Sequence, residues 1–171
     1  MDFFDVVKTR QSVRAFKKQK VDPETLTRLL EAIRSSPTAG NLQAYQVYLV
    51  ETPSTIKALG KAAYDQECVS RAPVVLVFCA DGERSQVKYK ARGMTLYCLQ
   101  DTTIAATFGH LAATALGLGS VLVGAFKEVE VSQLVNAPPS QRPILLLPVG
   151  HPDEIPAATE RRSLADLVIR C

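Results

Sequence analysis

The nine residues from Ala72 to Ala80, Ala-Pro-Val-Val-Leu-Val-Phe-Cys-Ala, constrain the fold more than any other part of this chain. A strand with one wet face alternates apolar and polar side chains. A run that is apolar throughout and rich in β-branched residues predicts a central strand buried on both faces, which other elements must cover.

Candidates for that cover are legible nearby. Asp22-Pro23-Glu24 is a helix start, with Asp as the cap, Pro at the first helical position and an acid in the first turn. Leu26, Leu29, Leu30 and Ile33 follow at amphipathic spacing, and the helix should stop before Pro37. Residues 2–9 read as a short helix, 45–51 as a strand, and Pro53-Ser54 as the opening of a second amphipathic helix through Ile56 and Leu59. The longest helical candidate runs from about Met94 to Leu116. Its second half is small or apolar nearly all round, which predicts burial on all sides, and Gly117 is its expected C-terminal cap. "SVLVGAF" and "RPILLLPVG" read as two more strands, with a short helix around 128–136 between them. Residues 81–93, polar and basic without clear period, read as a surface excursion or a mobile lid. The tail from 151 is polar until "SLADLVI" and reads as an arm that packs on something. Helices and strands do not repeat as strict βαβ units, so the order favours an α+β fold in one domain spanning 1–171.

Composition excludes several classes. A net charge of +3 over 171 residues is too small to imply a nucleic-acid partner. Apolar stretches broken by Thr, His and Gly imply no membrane span. Four cysteines without CxxC spacing and only two histidines give no zinc pattern; free thiols in a reducing cytoplasm are the simplest account, so a cytoplasmic location is expected. The distribution of charge says more than its sum. Residues 1–20 carry Lys8, Arg10, Arg14, Lys17, Lys18 and Lys20 against Asp2 and Asp5, and Arg161-Arg162 forms a second basic focus.

Within that segment lies Thr9-Arg10-Gln11-Ser12-Val13-Arg14-Ala15-Phe16. If extended, it sends Arg10, Ser12 and Arg14 to one side. Two guanidinium forks and a hydroxyl suit a phosphorylated, polyhydroxylated ligand. On the octapeptide alone, a solvated basic turn is the more common meaning. Other motifs fail. Gly117-Leu118-Gly119 follows a helix and has Leu122 where a dinucleotide fingerprint needs glycine; no P-loop or GxSxG occurs. His110, inside the apolar helix, reads as a packed, hydrogen-bonded core histidine, and His151 as a turn residue. Asp101 reads as a helix cap rather than a partner for an arginine. A chain without an evident acid, base, nucleophile or metal site often leaves chemistry to an organic cofactor.

Four segments, in order, resemble the FMN-dependent nitroreductase family: "RQSVRAF", "SPTAGNLQAYQVYLV", "DTTIAATFGHLAATALGLGSVLVGAF" and "LLLPVGHPDEIPAATERRSL". The resemblance covers nearly the whole chain, with Ala44-Tyr45 where the family usually has Pro-Trp and Leu122 where Trp is common. It implies a nitroreductase-like α+β fold, a central mixed or antiparallel sheet flanked by helices, in an intertwined homodimer. It further implies that FMN is held by Arg10, Gln11, Ser12 and Arg14, with Arg161 or Arg162 as a second phosphate contact. Pro37, Thr38, Ala39, Gly40, Asn41 and Gln43 would cover the flavin from the partner subunit, and Leu122, Val123, Gly124 and Ala125 would run beside its ring. The implied activity is electron transfer from NAD(P)H to a nitroaromatic, quinone or related acceptor by a ping-pong mechanism, with chemistry at flavin N5 and no catalytic side chain. Other flavin reactions of the family, such as reductive dehalogenation or breakdown of the flavin, and a non-catalytic flavin-binding or regulatory protein are the alternatives.

Overall fold

The computed structural model describes residues 1–171. Its strands are β1 (Tyr45–Val50), β2 (Val74–Asp81), β3 (Gly119–Ser120) and β4 (Gln141–Gly150). They form one sheet in the order β1-β2-β4-β3, antiparallel at every pairing. The eight helices are α1 (Phe3–Thr9), α2 (Pro23–Arg34), α3 (Pro53–Ala62), α4 (Glu67–Ser70), α5 (Gly82–Arg92), α6 (Cys98–Ala115), α7 (Glu128–Leu134) and α8 (Leu164–Leu167).

The unbroken apolar run of β2 is explained by the two cores it separates. Val75, Val77 and Cys79 join Phe16, Ile56, Leu59, Val69 and Val131 on one face. Val74, Leu76 and Phe78 join Leu29, Ile33, Ala105, Ala106 and Ala113 on the other. The strand alternates after all, but between two dry layers rather than between core and water. Cys79 is fully buried, and that burial pushes its thiol up to about 12. Pro143 of β4 stands opposite Cys79 at a register shift, where a missing N–H does least damage to the ladder.

The helix signals hold at their ends. Asp22 Oδ1 accepts the Thr25 N–H at 2.9 Å and Pro23 opens α2. Gly117, at φ +74°, ends α6: the Leu118 N–H returns to the Ala113 carbonyl at 2.8 Å, and the Gly117 N–H to Thr114 at 3.0 Å. The small face of α6 draws α2 and β4 close, since a side chain at Gly109 would meet Ile33 Cγ1 at 3.0 Å and Leu147 Cδ2 at 3.1 Å.

Three expectations change. α6 is not buried on all sides, because only one side faces the sheet; Thr103, Thr107 and Ala115 are exposed. Residues 81–93 lie at the surface, as expected, but as a helix rather than a segment without period. Asp81 caps α5 by accepting the Arg84 N–H at 2.9 Å, and of this helix only Ser85 is buried, so an almost wholly solvated helix leaves no apolar period to read. It passes through a kink at Lys90 (φ 53°) and a π-turn over Gly93–Tyr97 into α6. "SVLVGAF" pairs as a strand only at Ser120, the second residue of β3; beyond it, Val123 exchanges two 2.9 Å hydrogen bonds with Leu146 and the rest is irregular.

Candidate functional site

After α1 the chain runs along the sheet's β3 edge rather than forming a turn in water. Ser12 bridges Ser120 in parallel and Phe16 bridges Pro152. The Val13 N–H donates to the Ser120 carbonyl at 3.0 Å. Between this segment and the tail lies a cavity of about 500 Å³, lined by Lys8, Arg10, Gln11, Ser12, Arg14, Arg161 and residues 156–159. That volume falls within the roughly 300–1,000 Å³ of small-molecule sites. Four of its lining residues are cations and none is a carboxylate, so the wall is built for an anion. Gln11, on the same wall, has a buried Oε1 without a hydrogen-bond partner.

The nearby carboxylate is spent on backbone. Glu154 Oε1 accepts the N–H groups of Arg14 and Ala15, the latter at 3.1 Å, while the Asp153 N–H donates to the Ala15 carbonyl at 2.9 Å. These bonds fix the start of the tail against the arginine segment. Further along the tail Arg161, whose Nη1 donates to the Thr159 carbonyl at 3.0 Å, lines the cavity, whereas Arg162 does not.

Beneath the wall is a group whose role the sequence did not disclose. His110 of α6 is 5% exposed; its Nε2 lies 3.0 Å from Arg10 Nη1 and its Nδ1 2.7 Å from Ser120 Oγ. A guanidinium only donates, so Nε2 accepts and Nδ1 carries the proton, donating to Ser120. Burial first, and the Arg10 charge second, hold the imidazole down at about 4. The packed core histidine is thus found as expected. A buried imidazole always requires partners, but nothing in the sequence names Arg10 as one of them.

The remaining predicted residues lie elsewhere within one chain. Pro37, Thr38 and Ala39 line a second cavity of about 680 Å³ with Tyr97, Leu99 and Asp101. Asp101 is not a helix cap: its Oδ1 accepts the Ala39 N–H at 2.9 Å, and it is fully buried well inside the helical run that begins before it. Burial raises its carboxyl above the ordinary value against the opposing pull of backbone N–H groups. The same loop turns through Gly40 (φ +57°), Asn41 (φ 58°) and Gln43 (φ 50°), and Gln43 Nε2 donates to Asn41 Oδ1 at 3.2 Å. The positive φ at Gly40 favours glycine, and a side chain there would also meet the outer ends of Tyr89 (Oη, 2.5 Å) and Lys88 (Nζ, 2.8 Å) of α5. Gly124 faces a shallow pocket beside Leu99, Phe126 and Arg142; Val123 is buried, Leu122 half-buried, and the Ala125 carbonyl accepts from Gln66. No group of His, Cys, Asp and Glu is arranged to hold a metal ion, and no helix is long and apolar enough to cross a membrane.

A family model described as "Nitroreductase family" matches residues 7–151, most of the chain and every strand of the sheet. The chain belongs to the nitroreductase family. This nitroreductase-family chain is 30% identical over 164 residues to "FMN reductase [NAD(P)H]" of Bacillus subtilis, covering 88% of this chain and 66% of that protein. It is 29% identical to "NADH dehydrogenase" of Thermus thermophilus, covering 94% and 91%. The solved structure of NfrA2 from B. megaterium aligns with a TM-score of 0.91 at 26% identity, over 98% of this chain and 73% of that one. The expected nitroreductase-like α+β fold is therefore present, with its sheet antiparallel.

Proposed function

We infer that this chain is an NAD(P)H-dependent flavin oxidoreductase whose cofactor, FMN, is held in the Arg10–Arg161 cavity. The observation that carries the reading is that wall of four cations without a carboxylate, on one cavity with Ser12 and Gln11. The residues fit the group. Arginines hold phosphate oxygens in bidentate fashion. Ser12 can donate or accept, and Gln11, whose amide can do both, lines the same cavity. Arg10 and Arg14 would take the phosphate and the pyrimidine edge, and Arg161 a second phosphate contact. When bound, FMN would supply two-electron chemistry at N5, taking hydride from NAD(P)H and giving electrons to a nitroaromatic, quinone or similar acceptor in alternate half-reactions. The protein's part is binding and electrostatics: fixed positive charge near the pyrimidine edge favours the anionic reduced ring. No general acid is required of it, because the cavity opens to water.

The loop 37–43 and residues 122–125 are apart from this cavity in one chain, and we propose that a second copy brings its loop over the flavin. Phe3, Phe4 and Val7 of α1 are exposed, as are Ile155, Leu164, Leu167, Val168 and Ile169 of the tail; Phe4 is 80% and Ile155 98% exposed. Apolar surface of that extent supports a homodimer in which the arms are exchanged. The test is the visible spectrum of purified protein, with the released chromophore identified, followed by anaerobic addition of NADH or NADPH. FMN that bleaches supports the reading; FMN that stays oxidised supports a non-catalytic flavin protein. A colourless protein that takes up no FMN removes it.

A further inference from the structure

We propose that His110 is a positioning residue: it receives one N–H of Arg10 and thereby fixes how the rest of that guanidinium faces the anion cavity. The inference rests on reading that cavity as the FMN site. Arg10 is half-buried and makes no salt bridge; the chain's four ion pairs all lie elsewhere. A carboxylate would orient an arginine equally well, but it would also neutralise it and repel the ligand's phosphate. A neutral imidazole orients the fork and leaves its full charge for the anion.

The surroundings keep the ring in that form. Its contacts from neighbouring elements are Arg10, which follows α1, and Ser120 of β3; within α6 the Thr114 hydroxyl donates to its carbonyl at 3.3 Å. No carboxylate is among them, and both burial and the Arg10 charge oppose protonation. Ser120 ties the arrangement to the backbone, because its hydroxyl meets Nδ1 while its carbonyl accepts the Val13 N–H. One buried pair therefore sets both the direction of Arg10 and the register of the segment carrying Ser12 and Arg14.

The two ring nitrogens can be separated by substitution. Glutamine places an amide near Nε2 and can still accept from Arg10; asparagine reaches only the Nδ1 position, toward Ser120. FMN titrations of the flavin-stripped protein, followed by fluorescence quenching, should find His110→Gln within about threefold of wild type. His110→Asn and His110→Leu should each weaken FMN by about tenfold, as expected for a hydrogen bond to a charged group. In the Arg10→Ala background, His110→Leu should cost little more, since its effect acts through Arg10. Unchanged affinity in folded Asn and Leu variants, or a full additional loss in the Arg10→Ala background, overturns the assignment. Nitrogen NMR of the imidazole decides the matter without flavin. His110 in the wild-type apo protein should be the Nδ1–H tautomer, and its Nε2 resonance should move in Arg10→Ala. The opposite tautomer, or an unmoved resonance, overturns the proposal. Failure of the wild type to bind FMN at all would instead remove the functional reading and leave the NMR result to stand alone.

Discussion

Replacing Gly119 by alanine should damage the cavity without touching any side chain that lines it. A Cβ built at this position would lie 2.6 Å from Val13 Cγ1 and 2.8 Å from Val13 Cβ. Carbon contacts settle at about 3.5–4.0 Å, so one of the two chains must retreat by roughly 1 Å. Val13 is 8% exposed, packed among Phe16 and Val121, and its N–H is held by Ser120; it has nowhere to turn, and the segment 11–14 must move with it. Overpacking of this kind costs about 1–3 kcal/mol. At roughly 2–4 °C per kcal/mol for a chain of this size, Tm should fall by several degrees. Ser12 and Arg14 flank Val13, so FMN affinity should fall as well, by about tenfold for each 1.4 kcal/mol of lost contact. Scanning calorimetry and an FMN titration measure both. The internal check is Val13→Ala combined with Gly119→Ala: the two γ-carbons are gone and only the Cβ contact remains, so the pair should be less destabilised than the two single changes added together. Additive losses, or an alanine variant indistinguishable from wild type, would refute the steric account.

Arg10→Ala should weaken FMN binding far more than it lowers Tm, because a half-buried arginine with no ion pair contributes to the ligand before it contributes to the fold; equal affinity in the folded variant would contradict the site. His110 makes the apo protein acid-sensitive in one window. Its folded pKa of about 4 lies below the unfolded 6.5, so the unfolded chain takes up the proton first. Stability from this group is complete above about pH 6.5 and lost as pH falls toward 4, by about 3 kcal/mol in full. Urea midpoints at pH 7 and 4.5, at one protein concentration, should diverge less in His110→Gln than in wild type; parallel shifts would show another group responsible. Of the four free thiols, Cys68, Cys79 and Cys98 are buried with their thiols held up by desolvation, while Cys171 is exposed. A thiol reagent at pH 8 should label one cysteine per native chain quickly, and rapid reaction of a second would contradict the packing.

Much of this fold was legible because its signals are local or periodic. The β2 run could only be a doubly covered strand, and Asp22-Pro23 and Gly117 mark helix ends through their own backbone chemistry. α5 was hidden for the opposite reason: a helix that buries only Ser85 displays no apolar stripe. Residues 121–126 carry strand propensity but find only one pairing, at Leu146, which composition cannot foretell. At the site, alternation put Arg10, Ser12 and Arg14 together; Gln11 shares their cavity although alternation sends it the other way. That Arg161 and not Arg162 lines the cavity rests on the path of the tail, and the Arg10–His110 contact joins residues 100 positions apart. Such pairings leave no trace in the spacing of either partner.

That separation also sets when the cavity can come into being. The side-chain ties to the segment from Arg10 to Ala15 come from His110 and Glu154, 100 and 139 or more residues downstream. At ribosomal speeds of about 5–20 residues per second, the arginine segment waits some 5–20 s for its first partner and longer for its last. A ligand of this cavity cannot act as a template for the growing chain, because the wall from residues 156–161 is added only when the tail has been made. If FMN occupies this cavity as proposed, it would load after synthesis, and a ribosome-stalled chain lacking the residues beyond 150 should retain no FMN.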